Sequence, residues 1–211
     1  MKVTRLTKIS IMLGVFFMID KGFAIIRQII IARQFGLSSE LDIFNVANNL
    51  PDLLFALISG GALAIAFIPV LSDVLTNEGR QSAWKLFSRI ANLAFLVTTV
   101  LSILVAIFAD LLVGWEFGIA PGFDAQQQAH VIRIMRINLI ATLIFSISGL
   151  VMAGLQANQH FFLPALAPIL YNIGQIFGAT ILAPERGHQF LGSELPSFGL
   201  GIYGVVYGVI I

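Results

Sequence analysis

The chain has 211 residues, of which 58% are hydrophobic and 11% are charged, and its mean hydropathy is +0.94. This composition is far more apolar than that of a soluble domain and is typical of an integral membrane protein. The formal net charge of +1 provides no basic excess for binding nucleic acid. The lack of cysteine excludes disulfides, thiolate metal sites and cysteine nucleophiles.

Six apolar stretches separated by short polar segments predict an all-α fold, a polytopic bundle of transmembrane helices in one membrane domain, residues 1–211. The predicted spans are about 9–33, 41–70, 83–113, 129–155, 161–183 and 198–211. Pro51 and Gly60-Gly61 interrupt the second span, so both are predicted hinges. The sixth run holds about 14 apolar residues, fewer than a bilayer requires. We therefore expect an N-terminal fragment of a longer protein, truncated in this span.

The basic N-terminus sets the expected orientation. It is not expected to be a cleaved signal peptide, because the apolar run after Lys8 is too long and contains charged residues. Lys and Arg residues near the ends of the predicted spans are more numerous on the side of the N-terminus. Because basic residues are enriched in cytoplasmic loops, we expect the N-terminus to lie in the cytoplasm.

Two cations, Lys21 and Arg27, lie inside the first predicted span. A charge at bilayer depth costs about 2.5–3.5 kcal/mol on insertion scales, so such residues face a partner, a bundle interior or a water-filled cavity. Three interpretations are open: a solvated cavity that binds an anionic ligand, snorkelling to the membrane interface, or an ion-pair network with Asp20, Asp42 and Asp52. We favour the cavity, because two cations so close together exceed what packing needs.

A polar stripe follows the second predicted span. Its spacings of three, four, three and seven residues place it on one helical face, and its members are Asp42, Asn45, Asn49, Asp52 and Ser59. Polar groups that face lipid lack hydrogen-bond partners, so we expect the stripe to line a cavity or to contact another helix. The candidate substrate-binding residues are therefore Lys21, Arg27, Asp42, Asn49 and Asp52.

Other polar residues in the spans have simpler expected roles. Asn172 and Gln175 in the fifth span are expected to form hydrogen bonds across helices. Arg133 and Arg136 are expected to anchor the fourth span to lipid headgroups or to form a second anion contact. The sequence contains no phosphate-binding loop, HExxH, GxSxG or EF-hand pattern. No enzyme activity, cofactor or metal site is therefore predicted.

Several motifs resemble those of one known family: ARQFG at 32–36, DIF at 42–44, LPDLL at 50–54, GALAIAFIPV at 61–70, APGF at 120–123 and LPALAP at 163–168. Asn172 follows shortly after the last of them. In order and spacing they are similar to the MurJ/MviN family, the lipid II flippases of bacterial peptidoglycan synthesis. That family belongs to the multidrug/oligosaccharidyl-lipid/polysaccharide exporter superfamily.

The resemblance implies a fold of fourteen helices in two lobes around a central V-shaped cavity, of which this chain would form most of the first lobe. It further implies that Arg27 lines a cationic cavity and that Asp42 is the family's acidic residue at the outer end of the second helix. Lys21 stands where the family usually has arginine, so the charge is kept but the bidentate fork is lost. Two positions depart from the family pattern: Phe55 replaces a common arginine, and Gly60 replaces a common acidic residue.

The expected function is the flipping of lipid II, a polyprenyl-diphosphate-linked peptidoglycan precursor, across the cytoplasmic (inner) membrane of a bacterium by alternating access. Expected partners are membrane lipids, the lipid-linked anionic saccharide and cell-wall synthesis proteins; sodium, protons and the membrane potential are candidate energy sources. Two alternatives stay open. One is a cation-coupled exporter of drugs or other lipid-linked oligosaccharides, with Asp20, Asp42 or Asp52 as its ion site. The other is a transport-inactive membrane scaffold, motivated by the replaced arginine and acidic residue.

Overall fold

The computed structural model describes residues 5–57, 62–185, 189–190, 193–194 and 196–210. These residues form an all-α membrane helix bundle, apart from one short hairpin and the connecting segments. The chain divides into two compact units. We call Met1–Leu41 with Phe161–Ile211 the terminal unit, and Asp42–His160 the middle unit.

The first helix, α1, covers Arg5–Phe35 and includes the first predicted span. It ends at Gly36, whose φ of 59° is a left-handed conformation that glycine adopts readily, and whose N–H donates to the carbonyl of Ala32 at 2.9 Å. Ser38 then caps the next helix, α2 (Ser39–Phe55), because its Oγ accepts a hydrogen bond from the N–H of Leu41 at 3.4 Å. The turn at Gly36 therefore ends α1, and the cap at Ser38 begins α2.

The rest of the terminal unit follows the middle unit in sequence. It comprises α7 (Phe162–Phe177), a π-helical turn (Gly178–Leu182), the antiparallel strands β1 (Gln189–Phe190) and β2 (Ser193–Glu194), and α8 (Ile202–Ile210). Helix α7 packs against both α1 and α8. Within this unit α7 is therefore the central element.

The segment before α8 is irregular, although the apolar pattern predicts a helix from about residue 198. N–H groups within 198–201 donate to the carbonyl groups of residues 181–184 at 2.8–3.3 Å. The last carbonyls of a helix have no partner within that helix, and leaving them unpaired in an apolar environment is costly. The irregular segment satisfies these carbonyls, and α8 begins only after it.

Helix α8 packs closely against α7 and the π-helical turn, and the closest contacts are at glycines. A Cβ atom on Gly204 would collide with the backbone of Leu182 and Ala183. Glycines four residues apart allow membrane helices to pack backbone against backbone, and the two facing pairs are Gly174 with Gly178 and Gly204 with Gly208.

The middle unit contains most of α2, then α3 (Ala62–Asn77), α4 (Arg80–Ile107), α5 (Ala109–Gly114) and α6 (Ala125–Ala157). Helix α6 begins with a capping box, in which the Asp124 carboxylate accepts from the N–H of Gln127 at 2.8 Å and the Gln127 side chain accepts from the N–H of Asp124 at 3.1 Å. The apolar core joins α3, α4 and α6, and its buried members are Phe67, Leu71, Ala83, Ala94, Leu150, Ala153 and Ala157.

The stretch 83–113, predicted as one helix, is divided at Phe108 into α4 and α5. Arg136 on α6 contacts this break: it donates from Nε to the carbonyl of Ala106 at 3.1 Å and from Nη2 to the carboxylate of Asp110 at 2.9 Å. A side chain that takes a helical carbonyl produces a kink at that point. Arg136 therefore has a protein partner, which the sequence did not indicate.

Four helices of the described residues are long and apolar enough to cross a membrane: Thr7–Phe35, Arg80–Ile107, Ala125–Ala157 and Phe162–Leu182. The predicted second span, 41–70, contains two shorter helices, α2 and α3. Pro51 lies buried inside α2. The other predicted hinge, Gly60-Gly61, falls in 58–61, outside the described residues.

Candidate functional site

Lys21 on α1 forms an ion pair with Asp20, and its side chain is also exposed. Its Nζ lies 3.2 Å from Oδ2 of Asp20 and 5.0 Å from the ring centroid of Phe17. The Lys21 side chain is nevertheless 58% exposed, whereas that of Asp20 is only 13% exposed. The ammonium group can therefore reach a ligand without moving into the protein.

Arg27, two turns further along α1, has no such ion pair. None of the described carboxylates of the terminal unit pairs with it, and its Nε is buried without a hydrogen-bond partner. Its guanidinium carbon lies 6.0 Å from the ring centroid of Tyr171 on α7, at the outer limit of a cation–π contact. Within this unit the predicted ion-pair network is thus only partly present, because Asp20 pairs with Lys21 and not with Arg27.

Gln175 supports Tyr171 from within α7. Its Nε2 donates to the Tyr171 hydroxyl at 3.0 Å, and the Gln175 side chain is buried. The recorded partner lies one turn away on the same helix, a neighbouring position on the helix surface, so the predicted hydrogen bond of Gln175 across helices stays a prediction. The consequence is that the aromatic ring beneath Arg27 is fixed by a second side chain.

Asn172 does form the predicted hydrogen bond across helices. Its Nδ2 donates to Oδ1 of Asp20 at 2.8 Å and to the carbonyl of Pro168 at 3.1 Å. Only 4% of Asn172 is exposed, and its Oδ1 is buried with no hydrogen-bond partner among the described residues. The Asp20 carboxylate is thus held by one amide and one ammonium group.

Helix α2 separates polar from apolar side chains as its sequence pattern predicts. Four members of the predicted stripe are exposed: Asp42, Asn45, Asn49 and Asp52. The opposite face is buried and consists of Ile43, Phe44, Ala47, Pro51 and Leu54. The stripe is accessible to a ligand, and its role in substrate binding stays a prediction. Its fifth member, Ser59, lies outside the described residues.

Sequence reasoning missed the polar contact that joins α2 to α6. Asn138 donates from Nδ2 to Oδ1 of Asn48 at 2.6 Å, while the Asn48 amide donates to the carbonyl of Phe44 at 2.9 Å. The Thr142 hydroxyl lies 3.5 Å from the carbonyl oxygen of Pro51. The available signal was a polar residue at every fourth position of α6, Asn138, Thr142 and Ser146, all of them buried.

Phe55, which stands where the resembled family commonly has arginine, packs against α6. Its ring meets that of Phe145 on α6 edge to face, with centroids 6.1 Å apart. Such aromatic pairs stabilise by about 0.5–1.5 kcal/mol beyond the area that they bury. Packing therefore replaces a charge at this position, and Lys21 and Arg27 are the cations left for an anion site on α1.

The chemistry of these residues suits binding rather than a covalent step. Within the described part of the chain, no group of three or more His, Asp or Glu side chains is arranged to hold a metal ion. The available groups are two cations on α1, a buried carboxylate–amide pair beneath one of them, and an exposed polar face on α2. Cations with free N–H donors bind phosphate and carboxylate groups.

Comparison with known proteins identifies the family. The family model described as "Lipid II flippase MurJ" matches residues 31–211. The chain belongs to the MurJ family. Among its relatives, the lipid II flippase MurJ of Burkholderia cenocepacia is 28% identical over 197 residues, and the probable lipid II flippase MurJ of Buchnera aphidicola subsp. Schizaphis graminum is 30% identical over 174 residues.

These relatives are much longer than the chain. The alignments cover 92% and 82% of this chain but only 36% and 33% of the two MurJ relatives. A solved structure described as "Lipid II flippase MurJ, inward closed conformation" matches with a TM-score of 0.69 and 24% identity, over 95% of this chain and 39% of that one. The chain thus shares the fold of part of a MurJ protein and spans about a third of the relatives' length.

Proposed function

We propose that the complete gene product moves lipid II from the inner to the outer leaflet of a bacterial cytoplasmic membrane, as a transporter and not as an enzyme. Membership of the MurJ family and the lipid II flippases among its relatives support this substrate. In this proposal Lys21 and Arg27 bind the diphosphate group. We call these two residues the cationic pair.

The observation that carries the proposal is the environment of Arg27. A purely structural arginine on an apolar membrane helix would be matched by a carboxylate, and Arg27 has none among the described residues of its unit. Its guanidinium carbon instead lies 6.0 Å from the Tyr171 ring centroid, and its Nε has no hydrogen-bond partner. A guanidinium presents these donors in a planar fork that matches phosphate oxygens, and Lys21 adds an exposed point charge.

The exposed face of α2 is proposed to contact the saccharide. Carboxylates accept hydrogen bonds from sugar hydroxyl and amide groups, and asparagine side chains both accept and donate them. The carboxylates would repel a diphosphate, so this face suits the uncharged polar part of the substrate. Asp42, Asn49 and Asp52 are therefore assigned to the saccharide and not to the diphosphate.

The proposal also includes the orientation of the chain in the membrane and the hinges at which its helices bend. The basic N-terminus lies in the cytoplasm, since Lys and Arg favour that side. Alternating access requires helices that bend, and Pro51 lacks the N–H that would complete the backbone hydrogen bonding of α2. Pro51 and Gly60-Gly61 are accordingly the proposed hinges, with cell-wall synthesis proteins as proposed partners.

The test compares Arg27→Ala with a matched loss of charge elsewhere. The complete gene product is reconstituted in liposomes, and the initial rate of lipid II translocation is measured. We expect Arg27→Ala to lower this rate about 10-fold or more, because a hydrogen bond to a charged group contributes about 1.5–3 kcal/mol. Arg27→Lys keeps the positive charge but lacks the planar guanidinium, so its translocation rate should lie between those of the wild type and Arg27→Ala.

Arg89→Ala is the control, because Arg89 is an exposed cation on α4. It removes the same charge and should leave the translocation rate unchanged. A wild-type rate for Arg27→Ala, at equal protein in the liposomes, would remove Arg27 from the mechanism. Normal growth of cells that carry Lys21→Gln together with Arg27→Gln would instead support the transport-inactive scaffold.

A further inference from the structure

Asp20 lies where α1 packs against α7, and it is 9% exposed. Both of its oxygens are in use, since Asn172 donates to Oδ1 at 2.8 Å and Lys21 lies 3.2 Å from Oδ2. Helix α7 and the π-helical turn carry no Asp, Glu, Lys, Arg or His. The charge that balances Asp20 therefore comes from α1 itself, and it is the ammonium group of Lys21.

Asn172 contributes an unused oxygen to the same place. The side chain is 4% exposed, and its Oδ1 is buried without a hydrogen-bond partner among the described residues. An unpartnered buried acceptor is unfavourable and needs an explanation. The nitrogen of the same Asn172 amide donates to Asp20, so the unpartnered amide oxygen lies close to the Asp20 carboxylate. Such oxygens are the ligands that hard cations prefer.

Lys21 is the mobile member of this group. Its side chain is 58% exposed and carries a compact charge on a flexible stem. When the Lys21 ammonium group turns away from Asp20 to bind an anion, the Asp20 carboxylate keeps only its hydrogen bond from the neutral Asn172 amide. A buried carboxylate without a compensating charge is strongly unfavourable. A second cation would then have to take the place of the ammonium group.

We propose that Asp20 and Asn172 form a cation site that is occupied in turn by the Lys21 ammonium group and by a small monovalent cation, H⁺ or Na⁺. Release of Lys21 to the anionic substrate opens the site, so cation uptake accompanies substrate binding. By thermodynamic linkage, each ligand raises the affinity for the other by the same factor. The substrate half of this coupling rests on the proposed function; the cation half does not.

The first experiment needs no lipid, because Lys21→Gln empties the site permanently. The melting temperature of the purified complete gene product in detergent is measured in NaCl and in choline chloride of equal ionic strength, at two pH values. We expect NaCl or low pH to raise the melting temperature of Lys21→Gln but not of Lys21→Gln/Asp20→Asn. A response to NaCl identifies Na⁺ as the cation, and a response only to pH identifies H⁺.

Two further variants locate the effect. Lys21→Gln/Asn172→Leu removes the amide oxygen and should weaken the response. Lys21→Gln/Asp73→Asn removes an exposed carboxylate on α3 and should keep it. Equal responses of Lys21→Gln and Lys21→Gln/Asp20→Asn to both NaCl and pH would overturn the cation site, whatever the substrate is.

The second experiment measures the coupling in the wild-type protein, and it also serves if Lys21→Gln does not fold. Binding of undecaprenyl diphosphate to the protein in nanodiscs is measured under the same ionic conditions. We expect Na⁺ or H⁺ to tighten binding about 5- to 150-fold, a typical range for coupling between two sites. Asp20→Asn should abolish this dependence while still binding the probe. Probe affinity that ignores both cations in the wild type would overturn the coupling.

The two experiments separate two kinds of failure. A protein that does not bind the diphosphate probe, but whose Lys21→Gln variant responds to Na⁺ or H⁺ through Asp20, contradicts the proposed function and retains the cation site. A protein that binds the probe through Arg27 without any cation dependence retains the proposed function and loses the coupling.

Discussion

The two units of the chain use polar side chains between their helices in opposite ways. In the terminal unit the contact of α1 with α7 contains charges, and it leaves Arg27 Nε and Asn172 Oδ1 without hydrogen bonds. In the middle unit the contact of α2 with α6 is neutral: Asn138 donates to Oδ1 of Asn48 at 2.6 Å, and the Asn48 amide donates to the carbonyl of Phe44. A satisfied neutral pair only joins helices, whereas a charged group with spare donors and acceptors remains available for a ligand.

The units also differ in what fills the space between helices. The middle unit is packed by side chains, including Phe67, Leu71 and Leu150. The terminal unit brings the backbone of α8 against α7 and the π-helical turn at glycines. Without a hydrophobic driving force inside a bilayer, such close backbone contact is one of the main sources of helix association. Single substitutions in each unit can test these differences.

The largest effect is expected at Gly204 in the terminal unit. Gly204→Val would place side-chain atoms against the backbone of Leu182 and Ala183, which cannot rotate away. Overpacking of this kind costs about 1–3 kcal/mol, occasionally more. We expect a clear fall in the melting temperature of the complete gene product in detergent. Gly14→Val is the control, because no atom lies within 4 Å of a Cβ at Gly14. Equal melting temperatures for the two variants would contradict close packing of α8.

The next prediction compares two buried asparagines directly. Asn138→Leu leaves Asn48 Oδ1 without its donor, and an unsatisfied buried polar group costs about 1–3 kcal/mol. Asn172→Leu removes an unpartnered oxygen together with one hydrogen bond to Asp20, and Lys21 still balances that carboxylate. We therefore expect Asn138→Leu to lower the melting temperature more than Asn172→Leu.

Asn172→Leu and Asn138→Leu should also differ in their effects on lipid II translocation. Asn172→Leu is expected to change the dependence of lipid II translocation on Na⁺ or pH, whereas Asn138→Leu is expected to change only the amount of folded protein. A larger loss of stability for Asn172→Leu would mean that the terminal unit uses its buried polar contact for folding. The difference between the two units would then disappear.

The features predicted from the sequence are those that local patterns determine. The apolar runs predict long helices at α1, α4 and α6, since a continuous apolar stretch of that length suits only a buried or membrane helix. The spacing of polar residues on α2 predicts the exposed face on which Asp42 and Asp52 lie. Both signals are contained in the segment that they describe.

Two features that escaped prediction depend on residues far apart in the sequence. Asn48 and Asn138 are 90 positions apart, so neither segment indicates the other. The irregular 198–201 segment donates to the carbonyls of 181–184, which the end of the preceding helix leaves unpaired. Gln175 is a different case, because its recorded acceptor, the Tyr171 hydroxyl, lies one turn away on the same helix.

The smallest effect is expected at Arg136 in the middle unit, which forms an ion pair with Asp110. The pair is mostly exposed, with 46% of the Arg136 side chain and 74% of the Asp110 side chain accessible. Exposed ion pairs contribute about 0.2–1 kcal/mol, so Arg136→Gln should shift the melting temperature only slightly. A double-mutant cycle with Asp110→Asn isolates the interaction between the two side chains.

The cycle also decides what holds the middle unit together. If the coupling of Arg136 with Asp110 is smaller than the cost of Asn138→Leu, the buried neutral amides are the stronger contact, as the burial of each pair indicates. A coupling larger than that cost would show that the middle unit also relies on charge. The Asp20–Lys21 pair would then differ from the Asp110–Arg136 pair in its burial and in its contact with Asn172, and these two features would have to account for the proposed cation site.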